Sequence, residues 1–318
     1  MLSYNKKIAS IAGIVVSVTA LWLLYKNFLH NQSLSSISDV NILYMVVAFF
    51  IRSIIYVFQS FRWFLIINIP RYNIYKLFSY IVIGTLPNFL LLNTGPLPRA
   101  FLLGYFSKLE YIFVLGTLLI EKLLDYAVIT ILVILFITVN PLNISFLIEH
   151  NYIISGLLFI LFIILGPILF PIQCINTIDK IVNREDRFKY PRLIKLWVST
   201  KEVLVPIKSL QIRLLLLFNT ILIFLSYTFV MYIVMISIGI KSPFILAFFL
   251  QMTLLTSKLI PSVGELGVFQ FICVFVLSKM SVDHGIAFTY SVLLYLVLKS
   301  PGMVLGALFI PNLKKEKL

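Results

Sequence analysis

Glu121, Lys122 and Asp125 lie within an apolar stretch, Tyr111 to Val139, with no polar loop on either side of them. Glu121 and Asp125 are four residues apart and share one face of a helix. Lys122 points about 100° round from Glu121 and can reach a neighbouring element. Ionisable groups carried into hydrocarbon are costly unless paired or hydrated, and they face a bundle interior or a wet cavity. Two carboxylates and an ammonium can orient other cations, exchange protons or neutralise one another. Two readings follow: one wall of an anion-handling cavity, or a structural ion-pair cluster.

Other ionisable groups interrupt other apolar runs. Arg52 lies within 40–58, Arg99 follows a breaker-rich stretch, Lys258 precedes a second such stretch, Glu265 lies in it, and Lys299 adjoins Ser300-Pro301-Gly302. At membrane depth Arg52, Arg99, Lys122, Lys258 and Lys299 stand against Glu121, Asp125 and Glu265. Pairing leaves positive charge over, and an anionic headgroup such as a phosphate is its natural counter-charge. A guanidinium fork can hold a phosphate, and half-helix N-termini add N–H donors. The expected ligand-binding set is therefore Arg99, Arg52, Lys122, Glu121, Asp125, Glu265 and Lys258. The plainer alternative is that Arg52 and Lys258 snorkel, and Lys299, near the cytoplasmic end of its run, is read as snorkelling. Arg62-Trp63, with Tyr56 and Phe61, reads as an interfacial anchor. His30, His150 and His284 have no metal-ligand spacing, Cys174 and Cys273 are far apart, and no nucleotide-binding or hydrolase pattern occurs. No metal, cofactor or catalytic residue is expected.

The elements that must position these groups follow from composition. Of 318 residues, 61% are hydrophobic and 12% charged, against about 25% charged in soluble domains. This places the chain in the polytopic membrane class and excludes a soluble catalytic domain. The net charge of +14 is assigned to the cytoplasmic face and its anionic lipid, not to nucleic acid. Apolar runs occupy 8–28, 40–58, 74–93, 111–139, 152–171, 212–238, 243–258, 266–279 and 286–310. The run 8–28 reads as a first span, not a removed signal.

Charge parity limits how these runs cross. Both termini are basic, as are 59–76 and the loop at about 173–211, whereas 140–150 has no Lys or Arg. Basic segments belong in the cytoplasm, which is incompatible with simple crossings throughout. The conflict disappears if about 74–107 and 243–279 are re-entrant hairpins entering from opposite faces. Their tips are the breakers Gly95, Pro96 and Pro98, and Pro261, Gly264 and Gly267. The expected fold is an all-α polytopic membrane protein with about six full transmembrane helices and two opposed re-entrant helical hairpins. It forms a single integral membrane domain, 1–318, with both termini cytoplasmic. Opposed interrupted elements point to an inverted repeat with its site near the midplane.

The order Phe61-Arg62-Trp63, Gly84, Asn88, Gly95-x-x-x-Arg99, Glu121-Lys122-x-x-Asp125 and Pro261-Ser262-Val263-Gly264-Glu265-Leu266-Gly267-Val268-Phe269-Gln270 resembles the lysylphosphatidylglycerol synthase transmembrane region, a flippase-like membrane family. The resemblance runs over roughly 8–310. The family pattern has Gly-Glu-x-x-Arg where this chain has Pro96, Glu-Arg-x-x-Asp where it has Lys122, and Gly-Val-x-Glu where it has Gln270. In full-length synthases a cytosolic aminoacyl transferase follows the membrane region. The sequence ends at Leu318 without one, so the resemblance implies the flippase part alone and not synthesis.

The leading expectation is a translocase in the cytoplasmic membrane for an anionic phospholipid or a polyprenyl-phosphate-linked lipid, its headgroup held between the hairpin tips. The alternatives are a membrane-embedded glycosyl or other transferase, with Glu121 or Asp125 as general base, and a non-transporting partner of a lipid-modifying enzyme docked through the basic loop.

Overall fold

The computed structural model describes residues 17–23, 25–26, 40–69, 73–87, 97–107, 109–139, 173, 176, 201, 209–241, 244–257 and 265–315. The described residues are helical apart from short turns and connections, and no strand occurs among them. The principal helices are α1 (Ile42–Ile67), α2 (Ile74–Thr85), α3 (Leu97–Ser107), α4 (Tyr111–Val139), α5 (Leu210–Ser237), α6 (Phe244–Ser257), α7 (Val268–Lys279) and α8 (His284–Lys315).

Local sequence sets where several of them start. The Asn41 side chain accepts from Leu43 N–H at 3.1 Å, Asn73 from Tyr75 N–H at 3.1 Å, and Asp283 from Gly285 N–H at 2.8 Å. Each carboxyl or amide oxygen meets a donor that the first helical turn cannot satisfy itself. Pro98, one of the expected hairpin-tip residues, sits in the first turn of α3, where a missing N–H removes no helical bond.

Among the described residues α1, α5 and α8 are long and apolar enough to cross a membrane. α4, at 29 residues, reaches about 43 Å at 1.5 Å per residue but carries the charged trio. α2, α3, α6 and α7 have 12, 11, 14 and 12 residues. None exceeds about 21 Å, short of a hydrocarbon core of about 30 Å. The tip residues Gly95, Pro96, Pro261 and Gly264, together with Lys258, the loop 140–150, the run 152–171 and most of 8–28 and 173–211, lie outside the described residues.

The chain divides into two compact units interleaved in sequence. One comprises Met1–Val57, Phe78–Arg99 and Phe224–Leu318, the other Phe58–Leu77 and Ala100–Ile223. In the first unit α2 and the start of α3 meet backbone to backbone. A Cβ placed on Gly84 would lie 2.7–2.9 Å from Arg99 Cβ, N and Cα, so only glycine permits the approach. α8 meets α2 in the same manner through Gly302 and Gly306, four residues apart. A Cβ at Gly306 would fall 2.7 Å from Val82 O, and one at Gly302 would collide with the Tyr56 hydroxyl and Thr85 Oγ1. Small residues at this spacing are a common means of close helix approach within membranes. α5 and α6 are joined by Gln251, which accepts from Thr228 Oγ1 at 2.6 Å and donates to Phe224 O at 3.3 Å.

In the second unit Ile66, Ile120, Leu124 and Leu216 form a buried core joining α1, α4 and α5. Ile120 and Leu124 flank Glu121, so the apolar core and the charged seam lie side by side on α4.

Candidate functional site

Thr117, Glu121 and Asp125 recur every four residues along α4 and make a polar seam of i, i+4 and i+8 positions. The end of α1 meets that seam with two of the largest fully buried side chains, Arg62 and Trp63. Trp63 Nε1 donates to Thr117 Oγ1 at 3.0 Å. Arg62 Nη2 donates to Glu121 Oε1 and Nη1 to Asp125 Oδ1, each at 2.6 Å. Thr220 of α5 lies at 3.4 Å from Nη1. The planar guanidinium fork suits this site because its two terminal nitrogens can serve two carboxylates one helical turn apart.

Lys122 completes the cluster, donating to the other Asp125 oxygen at 3.0 Å. The charges then balance: two cations against two carboxylates. Side-chain exposure rises along the network from 2% at Arg62 and 4% at Glu121 to 25% at Asp125 and 44% at Lys122. The Arg62–Glu121 end is therefore desolvated, and the Asp125–Lys122 end is accessible.

This arrangement corrects the sequence reading of Arg62 as an interfacial anchor. α1 continues to Ile67, nine residues past the end of the apolar run 40–58, and carries Arg62 into the interior. A buried guanidinium there is tolerable because two carboxylates meet it. Removing one partner of such a pair typically costs about 3–5 kcal/mol.

A second group of ionisable residues lies in the other unit. Glu265 and Arg99 are buried, and Glu265 pairs with Lys299 at 3.5 Å. Lys299 also lies over the Tyr295 ring at 5.6 Å. Its expected role as a snorkelling residue is thus replaced by an ion pair, because the turn before α7 brings Glu265 to α8. Glu265 has φ +69° and Gly267 φ +82°, left-handed values that aim the turn. Gln270 fixes the turn by accepting from Gly267 N–H at 2.7 Å, so the amide standing where the family pattern has an acid acts as a helix-start acceptor.

Arg52 is the third feature. It is 7% exposed, and Nε donates to Leu298 O at 3.1 Å, one residue past the carbonyl whose helical donor Pro301 lacks. The guanidinium carbon lies 4.0 Å from the Tyr56 ring centroid and 5.0 Å from that of Tyr227. Nη1 is buried without a hydrogen-bond partner among the described residues.

The sequence model of the lysylphosphatidylglycerol synthase transmembrane region matches residues 10–306. The chain belongs to this family. The match covers the charged seam of α4, the Arg52 site and the Glu265 turn alike, and it agrees with the resemblance carried by the sequence motifs. Membership makes the chain a membrane protein related to lipid handling. No curated protein and no solved structure matches it. Among the expected site residues of this family member, Glu121, Lys122 and Asp125 share one unit, and Arg52, Arg99 and Glu265 share the other. Arg62, Thr117 and Tyr227 were not among the expected site residues. No group of three or more His, Cys, Asp or Glu suited to a metal ion occurs among the described residues.

Proposed function

We propose that the chain translocates an anionic lipid, or a lipid-linked intermediate, across the cytoplasmic membrane. The observation that carries this reading is the graded, charge-balanced network on α4 in a chain of a lipid-handling membrane family. Ionisable residues within membrane helices usually mark pathways for substrates, ions or protons.

The network has a fixed end and an exchangeable end. Arg62 and Glu121 are desolvated and hold one another. Asp125 is shared, one oxygen on Arg62 and the other on Lys122. A headgroup phosphate reaching the exposed Lys122 competes with Asp125 for the ammonium, while Arg62 retains Asp125. Exchange of this kind lets an anion enter and leave without stranding a buried charge.

The test follows exposure of fluorescent-headgroup phosphatidylglycerol in proteoliposomes, read by quenching of the outer leaflet. The wild-type protein should move the lipid, and Asp125→Ala and Arg99→Ala should slow it at least tenfold. Wild-type rates in both variants would remove the site assignment, and no movement by the wild-type protein would remove the translocase reading.

A further inference from the structure

We infer that Arg52 is an oxyanion-binding residue, its guanidinium held between Tyr56 and Tyr227 so that Nη1 receives a phosphate oxygen. The inference deepens the translocase reading and takes its ligand class from it. Arg52 and Arg62 sit ten residues apart on one helix and are both buried. Arg62 is met by two carboxylates. Arg52 is met by two aromatic rings and one carbonyl, and among the described residues no carboxylate lies within ion-pair distance of it. The rings stabilise the cation without neutralising it, and its N–H groups are the place for an anion. One of them is Nη1, unpartnered among the described residues.

The site is built rather than incidental. Tyr56 is itself buried, hydrogen-bonds with Thr85 of α2 and abuts Gly302 of α8. Tyr227 comes from α5 and Leu298 from α8. Four helices thus fix one guanidinium in a single orientation. The missing partner is an anion, and guanidinium geometry matches phosphate oxygens. The phosphate belongs either to a lipid phosphodiester or to free inorganic phosphate, and the experiment separates the two.

Purified full-length protein in a neutral maltoside detergent is titrated with dioctanoyl phosphatidylglycerol, with zwitterionic dioctanoyl phosphatidylcholine, and with inorganic phosphate. A ligand that binds the folded protein raises its melting temperature with the logarithm of ligand concentration once that concentration exceeds the Kd. A concentration-dependent rise with phosphatidylglycerol alone, its apparent Kd weakened at least tenfold in Arg52→Lys and the rise lost in Arg52→Gln, supports the site and identifies the lipid source. The same dependence with inorganic phosphate alone supports the site and identifies free phosphate. Equal binding by wild-type and Arg52→Gln protein, or no concentration-dependent rise with either anion in the wild type, overturns the inference. Should Arg52→Gln not fold, Arg52→Lys and Tyr227→Leu, checked for monodispersity, decide it by the same criterion. If these variants lose binding while wild-type proteoliposomes move no lipid, the Arg52 site stands and the translocase reading falls.

Discussion

The balance of charge around Arg62 predicts strong non-additivity between Arg62 and Glu121. Arg62→Gln removes the guanidinium 2.6 Å from the nearly fully buried Glu121, while Asp125 keeps Lys122 at 3.0 Å. Removing one partner of a buried pair in this way should cost about 3–5 kcal/mol of stability. Glu121→Gln is milder, because Arg62 keeps Asp125 at 2.6 Å, and a lost charged hydrogen bond is worth about 1.5–3 kcal/mol. The double variant leaves Asp125 and Lys122 as a neutral pair beside two amides. Its cost should therefore fall short of the sum by about 2–3 kcal/mol, near the upper end of coupling energies for residues in contact. The measurement is a four-point cycle of unfolding free energies in mixed micelles, followed by loss of helical circular dichroism. Lys122 with Asp125 supplies an internal comparison. Lys122 is 44% exposed, so that pair should couple by under about 1 kcal/mol. Additivity at Arg62 and Glu121 within about 0.5 kcal/mol would refute the account of the network, since the two groups would then not compensate one another.

Two further outcomes concern the other unit. Gly84→Ala places a methyl group 2.7–2.9 Å from Arg99 backbone and Cβ atoms, which no rotamer change relieves. It should cost about 1–3 kcal/mol, and an unchanged melting temperature would contradict the close approach of α2 and α3. Gln270→Ala removes the acceptor for Gly267 N–H and should cost about 1 kcal/mol. Gln270→Glu keeps an acceptor and restores the acid of the family pattern, so it should melt above the alanine variant; the reverse order would show that Gln270 has another task.

The helical class and the family were legible because each rests on local composition or on ordered motifs. Arg62 was not, for an identifiable reason. A charge at the end of an apolar run was taken as the edge of the membrane, although α1 continues to Ile67. Two signals pointed the other way. The trio on α4 carries two acids and one lysine, so a cluster buried together needs a further cation. Thr117 stands four residues before Glu121, which extends the polar seam toward a partner. The Gly302–Gly306 spacing on α8 was equally readable as a close-packing signal. The Lys299–Glu265 pair had no such local sign. Its members are 34 residues apart, and only the turn before α7 and the packing of α7 against α8 bring them together.

These placements move the unmet positive charge. Counting charges along the sequence gives an excess of cations at membrane depth and spreads the need for an anion over Arg99, Arg52, Lys122 and Lys258. With Arg62 included, the trio is neutral: Glu121 and Asp125 absorb Arg62 and Lys122. Glu265 is likewise engaged by Lys299. Arg52 is buried and has no carboxylate partner among the described residues, and its stabilisation there comes from two ring faces and one carbonyl. Ring faces disperse a charge without neutralising it, and the cost of a net charge in low dielectric remains until an anion arrives. A neutral network that exchanges partners and a cation that lacks one are different devices. The first can pass an anion along because its own charges close up afterwards. The second retains an anion until another takes its place. The proposed translocation of a headgroup would need both properties, and α1 supplies a guanidinium to each.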